Sequence, residues 1–187
     1  MRRTILLFFV MSFVCAFVSV AQTNYYTESK IFTESDYTYK VDVHSWGEIY
    51  LYNASNVWIG KKQVYKVTGK SFDYLNESLD YFDHASWLIS KENNQAILNR
   101  TLSKDEKRMI GDKEIILNMY VNSTTGKIDD VCFDFFEDSP YRFIPVSTYR
   151  KIELEIKQNI QLNLTDEGRK LNYVFWWTGV KLGLQTK

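Results

Sequence analysis

The side chains in this chain that could take a proton, a metal or a substrate are few and scattered. Its two histidines, His44 and His84, fall on different elements with no second ligand at metal spacing, so zinc has no support. Each reads as an ordinary surface or half-buried residue. Cys132 would need a neighbouring base to become a thiolate nucleophile. Its neighbours in Val131-Cys-Phe-Asp-Phe-Phe136 are apolar or acidic, which raises a thiol's pKa, so it reads as an inert, half-buried thiol. Asp129 and Asp130 are consecutive on a strand and point to opposite faces, so they cannot share a proton or a metal. They read as solubility charges beside a turn. No Gly-rich phosphate loop, nucleophile elbow or paired metal ligands occur. The sequence therefore assigns no catalytic residue, no metal site and no cofactor.

What remains is aromatic. Trp46, Tyr50, Tyr52 and Trp58 in the first half, and Tyr173, Phe175 and Trp177 near the end, carry flat faces on which a sugar ring or a partner side chain can stack. These seven are the candidate binding residues. The competing reading is that aromatics favour strands and fill cores without binding anything.

The elements that must position them are clearest from Glu114 to Leu182. Ile115, Leu117, Met119 and Val121 alternate with Ile116, Asn118 and Tyr120, which predicts a half-buried strand. Asn122-Ser-Thr-Thr-Gly-Lys127 predicts a tight turn, with Gly126 free to take a positive φ. The return strand, 128–136, sets Val131, Phe133 and Phe135 against Cys132, Asp134 and Phe136. Pro145 opens a helix whose stripe is Val146, Tyr149, Ile152, Ile156 and Ile160. On its solvent face Lys151 is expected to meet Glu155, and Glu153 to meet Lys157. Thr165-Asp-Glu-Gly168 breaks the chain before a final strand, 171–182, apolar on both faces. Its Val174, Trp176 and Val180 suit a core, which leaves Tyr173, Phe175 and Trp177 to be covered by the N-terminal meander, Tyr25–Gly69, or else open as a docking surface.

Strand, Thr-Gly-Lys turn, strand, a helix carrying Tyr149-Arg-Lys-Ile-Glu153 and a closing strand after Gly168 resemble the C-terminal domain of TonB-type energy transducers. Ile144-Pro-Val-Ser-Thr-Tyr149, Lys157-Gln-Asn159 and Glu167-Gly-Arg-Lys-Leu-Asn-Tyr173 are similar to small secreted proteins of unknown function from gut-dwelling Gram-negative bacteria. The resemblance covers roughly the last half of the chain and implies architecture and compartment, not a reaction. It implies a docking mode by strand addition for the TonB-like unit. Energy transduction itself is not implied, because a retained anchor and a Pro-rich spacer are missing. In this setting the Asn-x-Ser/Thr triplets at Asn53, Asn76, Asn99, Asn122 and Asn163 read as turn composition rather than glycan acceptors.

Toward the N-terminus, Arg2-Arg3, the apolar run Ile5–Val18 and Ser19-Val-Ala21 predict a signal peptide, residues 1–21, cut before Gln22. The run is too short for a transmembrane anchor, so no transmembrane segment is expected in the mature chain. Taking away the leader's two arginines leaves 21 Lys+Arg against 23 Asp+Glu, a net charge of −2, and nothing basic enough to hold nucleic acid. Only Cys132 survives cleavage, so no internal disulfide is expected.

Tyr37, Tyr39, Val41 and Val43, then Ile49 and Leu51, then Val64-Tyr-Lys-Val67, predict an antiparallel meander over 22–70. A helical connection follows over 71–111. One helix there is expected over Leu75–Ser90 and a short one after the capping box Ser103-Lys-Asp-Glu106, stopped by Gly111. With the TonB C-terminal-like unit over 112–187 and no linker between, residues 22–187 read as a single α+β domain with an antiparallel sheet. The expected function is a non-catalytic secreted or periplasmic interaction or binding module for a protein or glycan partner, with a homodimer through the final strand open. The alternative is a glycan-active hydrolase or carbohydrate-binding module without a recognisable motif.

Overall fold

A computed structural model describes residues 23–34, 36–73 and 80–183. Six strands form one sheet: β1 (Lys30–Glu34), β2 (Tyr37–Val43), β3 (Glu48–Asn53), β4 (Glu114–Val121), β5 (Ile128–Phe136) and β6 (Val174–Lys181). Their order is β1-β2-β3-β5-β4-β6, and every pair is antiparallel. The helices are α1 (His84–Thr101), α2 (Lys104–Ile110), α3 (Val146–Asn159) and the single turn α4 (Asp166–Arg169), with a 3₁₀ turn at Pro140–Phe143. The architecture is α+β, as the sequence predicts. No helix among the described residues is long and apolar enough to cross a membrane.

The alternation in β4 and β5 sets one sheet face under the helices. Leu117 pairs with Phe133 and Met119 with Val131, while Ile115 faces Val180 and Met119 faces Trp176 on β6. These residues, with Ile152 and Ile156 of α3, are buried in one hydrophobic core. The hairpin between β4 and β5 turns where expected. Gly126 has φ +74°, and a side chain there would collide with the Leu162 carbonyl. Asn122 builds the turn, its Oδ1 accepting from the N–H groups of Thr124 and Thr125 at 3.0 Å each.

Several expectations are corrected. Glu153 does not face solvent: its side chain has no exposure, and it takes hydrogen bonds from Tyr39 and, at 3.4 Å, Asn53 Nδ2, with Arg150 at 3.1 Å and Lys157 at 3.6 Å. Glu155 pairs with Arg100 of α1 rather than with Lys151. Asp130 is no solubility charge either. It is buried and lies 3.4 Å from Lys157, because the helix packs close enough to the sheet for the lysine to bridge both carboxylates. Helix α1 begins at His84 and runs to Thr101 instead of spanning 75–90, and residues 74–79 lie outside those described. Its buried side includes Ser86, Ser90 and Asn94, polar positions that interrupt the apolar pattern. The Val64–Val67 run makes only isolated bridges, Val64 with Ser71 and Tyr65 with Leu171, and Val67 is exposed.

The region 22–70 covers the last strand as expected only through its final part, where Trp58, Lys61 and Gln63 lie against Tyr173. Instead of packing over the last strand, β1–β3 widen the sheet, since β3 pairs with β5 along Glu48–Tyr52 and completes its ladder. The cover over the far face comes from the loop between β3 and α1.

Candidate functional site

The sheet face turned away from the helices can be read from the registers as rows of neighbouring side chains. One row is Asp42, Tyr50, Asp134, Ile116 and Gly179, and the next is Lys40, Tyr52, Cys132, Asn118 and Trp177. A third holds Asp130, Tyr120 and Phe175. In the other direction His44, Glu48, Phe136 and Glu114 form a further row at the strand ends.

The seven candidate aromatics, scattered through the sequence, all come to this face. Tyr50, Tyr52, Phe175 and Trp177 stand on it directly, and Tyr173 follows just before β6. Trp46, on the turn between β2 and β3, stacks on His44 at 4.6 Å, and His44 meets Tyr50 edge-on at 5.0 Å. Trp58 comes from the covering loop. Asn56 Oδ1 accepts from the N–H groups of Trp58 and Ile59 at 2.9 and 3.1 Å, which turns the chain so that the indole lies 4.7 Å from the Tyr173 ring. Tyr173 is fixed in turn, its hydroxyl donating to the Lys61 carbonyl at 2.6 Å and its own carbonyl accepting from Gln63 at 3.1 Å.

Not all seven are free. Tyr52 and Tyr173 are buried, the Tyr52 hydroxyl donating to Asp42 at 2.7 Å, and Tyr50, Trp58 and Phe175 are half-buried. Trp46 is 65% exposed and Trp177 62%. Of the final strand's three outward aromatics only Trp177 is largely open, so β6 presents no continuous apolar stripe to a partner strand. Side-chain amides of Gln63 and Gln95 already donate to the Tyr173 and Lys181 carbonyls at the two ends of that strand.

Between loop and sheet lies a cleft of about 560 Å³, walled by Trp58, Phe72, Tyr120, Tyr173 and Phe175 with Lys61, Gln63 and Asp73 among its polar groups. A second hollow of about 290 Å³ is bordered by Asp134, Ile116, Phe136, Lys113 and Glu114. Asp134 is 6% exposed, and its Oδ1 is buried without a hydrogen-bond partner. Burial, then the Glu48 carboxylate, push its pKa up to about 6, against the opposing pull of Asn118 and His44. Burial, then Asp134 and Glu48, push Tyr50 up to about 12. Cys132 is buried, and burial, then Asp134 and Asp42, raise its thiol further from ionisation. That is the reverse of the setting that makes a thiolate nucleophile.

No group of three or more His, Cys, Asp or Glu among the described residues could hold a metal ion. His84 lies at the start of α1, apart from His44 on the turn between β2 and β3. The sequence missed Asp134, Glu48, Asn118 and Tyr120 as members of this face. A parity signal existed, since Asp134 alternates with Cys132, but only the cross-strand register shows which residues of β3, β4 and β6 stand beside it.

Residues 22–177 match a family described as a domain of unknown function, DUF5043. The chain belongs to the DUF5043 family. Its structure is similar to the crystal structure of a DUF5043 family protein from Bacteroides uniformis, a gut bacterium, with 28% identity and a TM-score of 0.77 over 88% of this chain and 91% of that one. No curated protein matches. The DUF5043 span takes in all seven candidate aromatics and ends on Trp177. No catalytic or binding role is attached to the DUF5043 description.

Proposed function

We propose that this DUF5043 protein is a non-catalytic binding module, secreted or periplasmic, that takes its ligand on the outer face of the sheet. One observation carries this reading. Aromatic residues spread from Trp46 to Trp177 gather on a single face, over a cleft of about 560 Å³ with a few polar groups at its rim. Binding sites are concave, mostly apolar and marked by a small number of placed polar groups, and this face has that make-up. The leader-like residues 1–21 support a destination outside the cytoplasm, and a mature chain starting at Gln22 in the envelope or medium is the expected mass-spectrometric result.

A ligand-independent experiment tests the face. Screening the protein against a fragment library by NMR should give hits whose shift changes cluster on Trp58, Tyr120, Phe175 and Trp177. Hits confined to the helix side, or none on the sheet face, would remove the reading.

The hydrolase alternative draws on Asp134 alone. Its raised pKa suits a general acid, and Glu48 lies on the adjacent strand one row away, where a second carboxylate would be needed. Release of reducing ends from polysaccharide by the purified protein, abolished in both Asp134→Asn and Glu48→Gln, is the result that would favour it.

A further inference from the structure

The open half of the outer face holds two polar atoms with nothing to bond. Asp134 Oδ1 and His44 Nε2 are both buried and without a hydrogen-bond partner. Asp134 borders the hollow of about 290 Å³, and Tyr50 lies directly across the ladder from it, in edge contact with the His44 ring at 5.0 Å. Burying a polar group without a partner costs free energy, so a site that keeps two such atoms gains when a ligand supplies partners. On either side stand the two most exposed tryptophans, Trp46 and Trp177.

Resting on the binding-face reading above, we propose that this half of the face is a saccharide subsite. A sugar ring stacks on Trp177, and hydroxyls of the same chain donate to Asp134 and bond His44. The pairing of flat apolar surface with orphaned acceptors matches a ligand that has C–H faces and hydroxyl edges. An anionic ligand fits less well, because Glu114, Asp134 and Asp138 line the hollow against Lys113 alone, and an array of basic peptides separates a sugar from a cation. A partner strand fits less well because β6 offers one open ring, not a stripe. Trp177 and Asp134 stand two strands and one row apart, about 12 Å by ordinary sheet spacings. That separation is too long for one pyranose ring and within reach of a short oligosaccharide.

The test is a glycan microarray spanning plant and host structures, probed with the mature chain, beside an array of basic peptides. Binding to a subset of neutral glycans is expected, weakened at least tenfold by Trp177→Ala and by Asp134→Asn. Ile31→Ala, at an exposed position on β1, should leave it unchanged. Trp177 is exposed, so its alanine variant should fold normally and keeps the test sound if Asp134→Asn does not. Absence of glycan binding, or glycan binding indifferent to both substitutions, would overturn the proposal. Fragment hits on the face with no glycan bound would sink the saccharide subsite and spare the binding face. Basic-peptide binding lost in Asp134→Asn would replace the sugar with a cation.

Discussion

Replacing Glu153 by alanine should be among the most damaging single changes on α3, even though its surroundings in sequence are those of a solvated helix face. The carboxylate has no exposure and takes a hydrogen bond from Tyr39, whose ring is also fully enclosed. Once the acceptor is gone, the Tyr39 hydroxyl cannot reach water, at a cost of about 1–3 kcal/mol. Arg150 and Lys157 lose a buried partner too, a change worth about 3–5 kcal/mol where both ions are enclosed. Their side chains are 22% and 33% exposed and can turn outward, so the lower end applies. The expected loss is about 4 kcal/mol, or roughly 8–16 °C in Tm for a chain of this size. Tyr39→Phe alone should cost about 1 kcal/mol, since Glu153 keeps its cations. The double variant should fall short of the sum by about 1 kcal/mol or more, as expected of two groups in one network. Urea unfolding followed by tryptophan fluorescence reads all three. A Glu153→Ala unfolding free energy within about 0.5 kcal/mol of the parent, or strict additivity with Tyr39→Phe, would show that the network contributes nothing.

Asp134→Asn should change the pH dependence of stability. With a folded pKa raised from 3.8 to about 6, the parent loses stability as pH rises through that window, by at most about 3 kcal/mol at about 1.4 per pH unit. The variant's advantage in thermal melts should therefore be absent below pH 3.8 and full above pH 6; an advantage that shrinks with rising pH would refute the assignment. Ile152→Ala removes a buried contact of α3 with the sheet and should cost about 2–5 kcal/mol in urea unfolding. Cys132 should label with a thiol reagent only as fast as the protein opens, so labelling of the native protein at the rate of a free thiol would contradict its burial.

Periodicity was a reliable guide where each residue has one neighbour above and one below. Strand β4, the Asn122–Lys127 turn, strand β5 and helix α3 follow the pattern of apolar positions, and the core positions that pattern implies do share one cluster, from Ile115 through Phe133 and Ile152 to Trp176. The same rule fails where a polar residue is buried with a partner. Glu153 looks solvated because its partner Tyr39 is 114 residues away, and Ser86, Ser90 and Asn94 interrupt the apolar pattern of α1 although all three are buried. A buried charge is identified by what reaches it across the fold, and that information is absent from the spacing on its own helix.

The candidate site divides along the same line. Aromatic type is visible in sequence, so all seven rings could be named, but their exposure is set by the loop that crosses the sheet. Asn56 turns that loop, Trp58 lands on Tyr173, and the covered end of the face becomes a cleft while the end around Asp134 stays open. Gly179 extends that open end: lacking a side chain, it leaves room for the Glu114 carboxyl to lie across β6 beside Ile116. A larger residue at 179 would displace the Glu114 carboxyl from its place across β6, and with it one wall of the hollow at Asp134. The shape and the charge of the open end thus depend on a residue with no chemistry of its own.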